Sequence, residues 1–133
     1  MTPPLVVDAS AVVALLIDPS AVADRIGRRL RGAELHAPSH LPVEVTNVLR
    51  RRHHAGLLGA SESGLALDGL WALPIQLWPF EVLRWRVWEL GANLSSYDAA
   101  YVALAERLGA TLLTQDARLS RGTGVRCAIE LTT

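Results

Sequence analysis

The chain has 133 residues, 50% of them hydrophobic, and a mean hydropathy of +0.25; that is enough to bury one sizeable core and too little for two, so residues 1–133 read as a single domain. Thirteen acidic residues cancel thirteen basic ones, which excludes a global field that would steer nucleic acid, membrane or acidic substrates. Every basic residue is Arg, so chemistries that need lysine, such as a P-loop or a Schiff base, are excluded too, and the single Cys127 rules out an internal disulfide or a Cys-based zinc site.

No positive residue precedes Asp8, and the early apolar run Ala11 to Ile17 is short, so neither a signal peptide nor a membrane span is expected and the chain reads as cytoplasmic. Leu5-Val6-Val7 predicts a buried strand ending at Asp8, and Ala9 to Ile17 a buried helix that halts at Asp18-Pro19. Pro19 suits the first position of a second helix with Asp18 as cap, in which Val22, Ile26 and Leu30 recur between Arg25, Arg28, Arg29 and Arg31. Gly32 stops it, and Glu34 to Ala37 is a short strand. Pro42 is tolerated in the opening turn of a third helix, whose apolar positions Leu41, Val45, Val48 and Leu49 lead into Arg50-Arg51-Arg52-His53-His54 and Gly56. A further helix holds Leu65, Leu67, Leu70 and Leu73 and ends at Pro74, after which Ile75 to Trp78 is a strand closed by Pro79. Glu81 to Leu90 reads as helical, and Ser95 caps a helix from Ser96 to Leu108 that Gly109 stops. Thr111 to Thr114 is a strand, Asp116 opens a short turn, and Val125 to Leu131 supplies a last strand. Strands alternating with helices predict an α/β fold with a parallel sheet covered on both faces.

Ligands of such sheets bind beyond the carboxyl ends of the strands. Asp8 follows the first strand, Glu44 opens the helix after the second, Asp98 opens a helix and Asp116 follows the fourth, so all four point to one edge. Four pooled carboxylates repel one another unless protons or cations offset them, and hard oxygen ligands suit Mg²⁺ or Mn²⁺. Each acid also has a plain structural reading: Asp8 and Asp116 as helix caps, Asp98 in a capping box with Ser95. Glu44 fits that reading least, because it lies at the margin of an apolar helix face and needs a partner; Asn47, one turn on, is placed to support it.

Val6-Val7-Asp8-Ala9-Ser10, the run from Pro42 to Leu49, Ser96-Tyr97-Asp98-Ala99-Ala100-Tyr101 and Leu112-Leu113-Thr114-Gln115-Asp116 resemble, in order, the successive motifs of the PIN-domain nucleases, and in particular the VapC-type toxins of bacterial toxin–antitoxin pairs. The resemblance implies a three-layer α/β/α sandwich and metal-dependent cleavage of RNA. Carried over residue by residue, Asp8, Glu44, Asp98 and Asp116 are the catalytic and metal-binding set, with Ser10, Asn47 and Thr114 supporting them. It also implies a small antitoxin protein as partner and a homodimer. The alternative is a PIN-like RNA or protein binding module whose acids only cap helices. A Mg²⁺ phosphohydrolase is weaker still, since Ser10 stands where a second Asp is needed and lysine is absent.

Arg50, Arg51 and Arg52 are the candidate RNA-backbone contacts, although cations also favour a helix C-terminus for dipole reasons alone. His36 and His40 have metal-capable spacing but no third nitrogen or sulfur ligand accompanies them, and Trp71, Trp78, Trp85 and Trp88 read as core, with a dimer or antitoxin surface as the alternative. If four acids are pooled around cations, nine acids remain against thirteen Arg, and the exterior is basic.

Overall fold

Leu5, Val6 and Val7 point alternately to the two faces of β1 (Pro4–Val7) and all three are buried, so both faces of this strand are covered. The computed structural model, which describes residues 2–132, places β1 at the centre of a five-stranded parallel sheet. On one side lie β2 (Glu34–Pro38) and then β3 (Ile75–Trp78), and on the other β4 (Thr111–Thr114) and then β5 (Ile129–Leu131). In register, Leu5 of β1 faces Leu35 of β2 and Thr111 of β4.

Parallel neighbours need long crossovers, and helices supply most of them. α1 (Ala9–Ile17) and α2 (Ala21–Leu30) join β1 to β2, and α3 (Leu41–His54) and α4 (Ala60–Ala72) join β2 to β3. A 3-10 turn at Phe80–Val82, α5 (Arg84–Glu89) and α6 (Ser96–Leu108) lead to β4, and a second 3-10 turn, Ala117–Arg121, leads on toward β5. α1 packs on α2, α3 and α4, whereas α6 packs on α5 and lies along β1, β2 and β4, which makes the expected helix–sheet–helix sandwich. Every residue of α6 from Ala99 to Ala105 is buried, and the alanines at 99, 100, 103 and 105 let it lie close on the strands. Gly109, in the left-handed region with φ 60, ends it.

Several local expectations change. Ser20, not Asp18, caps α2: its hydroxyl accepts from the Val22 amide at 3.2 Å, while Asp18 ends α1 and its carboxylate takes the Ser20 amide at 2.8 Å. The helix expected over Glu81 to Leu90 breaks at buried Leu83 into the 3-10 turn and α5. The last strand starts at Ile129 instead of Val125, because polar bonds hold the preceding segment elsewhere. The Arg86 guanidinium donates to the Gly124 carbonyl at 2.6 Å, and the Glu106 carboxylate accepts from the Arg126 amide at 2.8 Å.

The tryptophan core is also overturned. Trp71, Trp85 and Trp88 are largely exposed, since the inward positions of α4 go to Ala66 and Leu70 and that of α5 to Val87. Leu65 and Leu67 face outward for the same reason. Trp78 alone of the four is half-buried; its indole N–H donates to His36 Nδ1 at 3.0 Å, which leaves His36 Nε2 to donate to Glu34 at 2.6 Å. Both nitrogens of His36 are thus used, and the zinc spacing with His40 has a structural meaning only.

One polar clamp holds the helix that carries Asp98. Glu106 on α6 meets Arg86 of α5 through two bonds, 2.6 Å to Nε and 3.2 Å to Nη2. Burial pushes the Glu106 carboxyl up, and Arg86 together with the Arg126 amide outweighs it and holds the carboxyl below its ordinary range. The clamp is therefore intact above the ordinary carboxyl range and is lost as pH falls through the depressed value. Glu106→Gln is expected to cost about 2–3 kcal/mol at neutral pH, measured by urea unfolding, with the deficit shrinking as the solution is acidified.

Candidate active site

The chain leaves β1 toward β2 on one side while β4 lies on the other, so the crevice of this sheet opens between the carboxyl ends of β1 and β4. Asp8 and Thr114 sit there, both buried. Asp8 Oδ1 accepts from the Ser10 hydroxyl at 2.7 Å and the Ala11 amide at 3.0 Å, and Oδ2 accepts from the Thr114 hydroxyl at 2.5 Å. Each hydroxyl accepts in turn from the chain leaving β4, Ser10 from the Gln115 amide and Thr114 from the Asp116 amide, both at 2.9 Å. With each hydroxyl proton given to Asp8, the 3.3 Å approach of Ser10 and Thr114 carries no hydrogen of its own. The capping reading is realised as well: Asp8 caps α1 and Asp116 caps the following 3-10 turn.

The other acids surround this centre. Asp98 lies in the first turn of α6, its amide held by the Ser95 hydroxyl at 3.1 Å, and its half-buried carboxylate has no ion-pair partner among the described residues. Burial, with the charges of Glu44 and Asp116, raises its pKa. Asp8 is raised too: burial outweighs the bonds from Thr114, Ser10 and Ala11, and the charge of Asp98 adds to it. Glu44 Oε1 accepts from the hydroxyl of buried Tyr101 at 2.9 Å, and burial followed by the Glu44 charge pushes that phenol upward. His40 Nε2 lies 2.9 Å from the same oxygen, out of line for a hydrogen bond. Asp116 is clasped by Arg118, with Nη2 at 2.6 Å and Nε at 3.0 Å, and those bonds lower its pKa.

A cleft of about 730 Å³ opens beside Glu44 and Asp98, lined also by Asn47, Arg50, His40 and Tyr97, while Asp8 and Asp116 lie outside its lining. Asn47 and Arg50 thus join the site, whereas Arg51 and Arg52 are exposed elsewhere on α3. As the side chains stand, no group of three or more His, Cys, Asp or Glu among the described residues is close enough to hold one ion. Glu44 is turned to Tyr101 and His40, and Asp116 to Arg118. The donor set nonetheless fits a hard divalent cation: buried Asp8 and half-buried Asp98 form no ion pair among the described residues, the charge of Asp98 bears on Asp8, and those of Glu44 and Asp116 bear on Asp98. His40, Tyr101 and Arg118 are the site members that motif reading did not assign. Their signals were spacing, His40 four residues before Glu44, Tyr101 three after Asp98 and Arg118 two after Asp116.

The PIN domain family matches residues 5–124. Ribonuclease VapC12 of Mycobacterium tuberculosis is 39% identical over 127 residues, 96% of this chain and 98% of its own length. VapC ribonuclease Mb0985 of Mycobacterium bovis is 42% identical over 126 residues, 94% of this chain and 95% of its own. Among solved structures, PAE2754 from Pyrobaculum aerophilum superposes with a TM-score of 0.70 at 26% identity, covering 97% of this chain and 84% of that one. Mycobacterium tuberculosis VapC20, described as a Sarcin-Ricin loop cleaving toxin, shares the fold, with a TM-score of 0.67 at 18% identity over 90% of this chain and 95% of its own.

The raised carboxyl of Asp98 has a consequence for stability. A folded-state pKa above the unfolded one means that ionising Asp98 works against folding, so its cost is absent at low pH and grows as pH rises through the ordinary carboxyl range to the raised value. Asp98→Asn is expected to melt higher than the parent at neutral pH in chelator, and the gain should vanish near pH ~3. Thermal melts across pH check this; a gain that does not change with pH contradicts it.

Proposed function

We propose, because this chain belongs to the PIN-domain family and is a relative of the VapC ribonucleases, that it is a metal-dependent endoribonuclease acting as the toxin of a toxin–antitoxin pair. Asp8, Asp98, Asp116 and Glu44 would hold Mg²⁺, with Mn²⁺ as a substitute. The observation that carries this reading is the pair Asp8, the buried cap of α1, and Asp98, in the first turn of α6: two carboxylates at the crevice of the sheet, neither of which forms an ion pair among the described residues. A bound divalent ion supplies a hydrolytic water of lowered pKa and offsets charge on the scissile phosphate.

The protein's own part is positioning. Ser10 and Thr114 lock the Asp8 carboxylate in one orientation and leave about one acceptor site on Oδ2 free. Tyr101 fixes one oxygen of Glu44, so the other is available to orient the attacking water. Arg50, on the wall of the cleft, and Arg51 and Arg52 beyond it contact RNA phosphates. The outward Trp71, Trp85 and Trp88 support a protein-binding role for those faces, and we assign them to the antitoxin and a second copy of the chain. No helix among the described residues is long and apolar enough to cross a membrane.

The purified protein is expected to cut RNA when Mg²⁺ or Mn²⁺ is supplied and to stop in chelator. Asp8→Asn and Asp98→Asn should each lose about 100-fold or more in rate, about 2.7 kcal/mol of barrier, while circular dichroism stays unchanged. Variants that cut like the parent sink the site assignment, and RNA bound yet uncut with both metals assigns the chain to the binding modules instead.

A further inference from the structure

Tyr97 is 63% exposed, although a tyrosine has every hydrophobic reason to be covered, and it stands one residue from Asp98 in the opening of α6. Its ring is not loose. It packs edge-on against His40, with centroids 5.5 Å apart, and His40 packs edge-on against buried Tyr101 at 5.1 Å, whose hydroxyl holds Glu44. Three rings thus brace one another from the buried acid out to the mouth of the cleft, so Tyr97 presents an aromatic surface whose ordering is already fixed by folding.

The cleft around it combines what a single nucleotide needs. Pro42 and Val43 supply apolar wall, Thr46 and Asn47 supply hydrogen-bonding groups, and Arg50 supplies a fixed cation. A second cleft of about 360 Å³ shares Ser95 and Asp98 with the first and is lined by Arg118 and Arg121. Asp98 therefore sits where an apolar, aromatic pocket meets an arginine-lined one. Unpaired bases stack on aromatic side chains while the backbone follows the cations, and a base that stays paired in a duplex cannot be laid on such a ring.

We propose that Tyr97, braced by His40, is the stacking platform for one unpaired nucleobase of the RNA, adjacent to the phosphate cleaved at Asp98, with the strand continuing over Arg118 and Arg121. This rests on the ribonuclease reading above and adds to it a base subsite at Tyr97.

The test uses the full chain with Mn²⁺ and a set of short single-stranded RNAs of mixed sequence, each also prepared with single abasic positions and as a duplex. Tyr97→Ala is expected to raise KM about tenfold with kcat changed little, Tyr97→Phe to stay within about twofold of the parent, and the duplex to be cut poorly. At one position beside the cut, removing the base should slow the parent as much as Tyr97→Ala does, and should slow Tyr97→Ala no further. Cleavage by the parent with Tyr97→Ala indifferent, or with the two losses multiplying at every abasic position, overturns the base subsite and leaves the ribonuclease reading standing. A parent that cuts no RNA in the set overturns both.

Discussion

Asp8 is 6% exposed at the point where β1 and β4 part, and three hydrogen bonds fail to return its carboxyl to the ordinary range. Those bonds do something else. They tie the start of α1, through Ser10 and Ala11, to the end of β4, through Thr114, and the same hydroxyls receive the amides of Gln115 and Asp116. Because the Asp8 amide also donates to the Leu113 carbonyl at 3.2 Å, backbone and side chain fix one strand end against the other. The segment that carries Asp116 is thereby set by the hydroxyls that hold Asp8. Sheet, helix cap and site are one hydrogen-bonded unit, and the electrostatic cost of the buried carboxylate is carried by burial of β1, β4 and α6 around it.

How much of this was legible follows from which forces act locally. Asp8, Asp98 and Asp116 could be placed because a strand ending or helix opening at a polar residue is a short-range event, and a parallel sheet then gathers such ends at one edge without further information. Ser95 capping α6 was readable for the same reason. The choice between Asp18 and Ser20 was not, since both are good caps and only the close of α1 on Asp18 decides it. Trp71, Trp85 and Trp88 misled because side-chain size says how much area is at stake, while the helical phase set by Ala66, Leu70 and Val87 says which way it points. The partners Arg118, His40 and Tyr101 depend on rotamers and on tertiary approach, which no periodicity encodes.

The formal charge balance hides segregation that these contacts make concrete. Glu106 is used by Arg86 and the Arg126 amide, and Glu130 by Arg29 at 2.8 Å, so these acids serve the frame and cancel arginines locally. Arg50, Arg51 and Arg52 stay exposed on the helix that opens with Glu44, and Arg118 and Arg121 border the cleft on the far side of Asp98. Zero net charge is therefore the sum of an acidic crevice and arginine-bearing shoulders on either side of it. A polyanion meets the shoulders before the crevice, which a uniform neutral surface would not arrange.

Within the crevice each acid is held differently, and the differences order the site from rigid to adaptable. Asp8 is held by hydroxyls and an amide that cannot leave without breaking the start of α1 or the end of β4. Glu44 is held by a phenol that burial keeps in place, and only at one oxygen. Asp116 is held by Arg118, whose side chain is 76% exposed; such a surface pair contributes roughly 0–1 kcal/mol, so the guanidinium gives way cheaply to any stronger cation. Asp98 forms no ion pair among the described residues, and burial with the charges of Glu44 and Asp116 outweighs the Ser95 contact and the charge of Arg118 to raise its pKa. Asp8 and Glu44 are thus restrained by the fold, whereas Asp116 is restrained by an exposed ion pair that water already weakens.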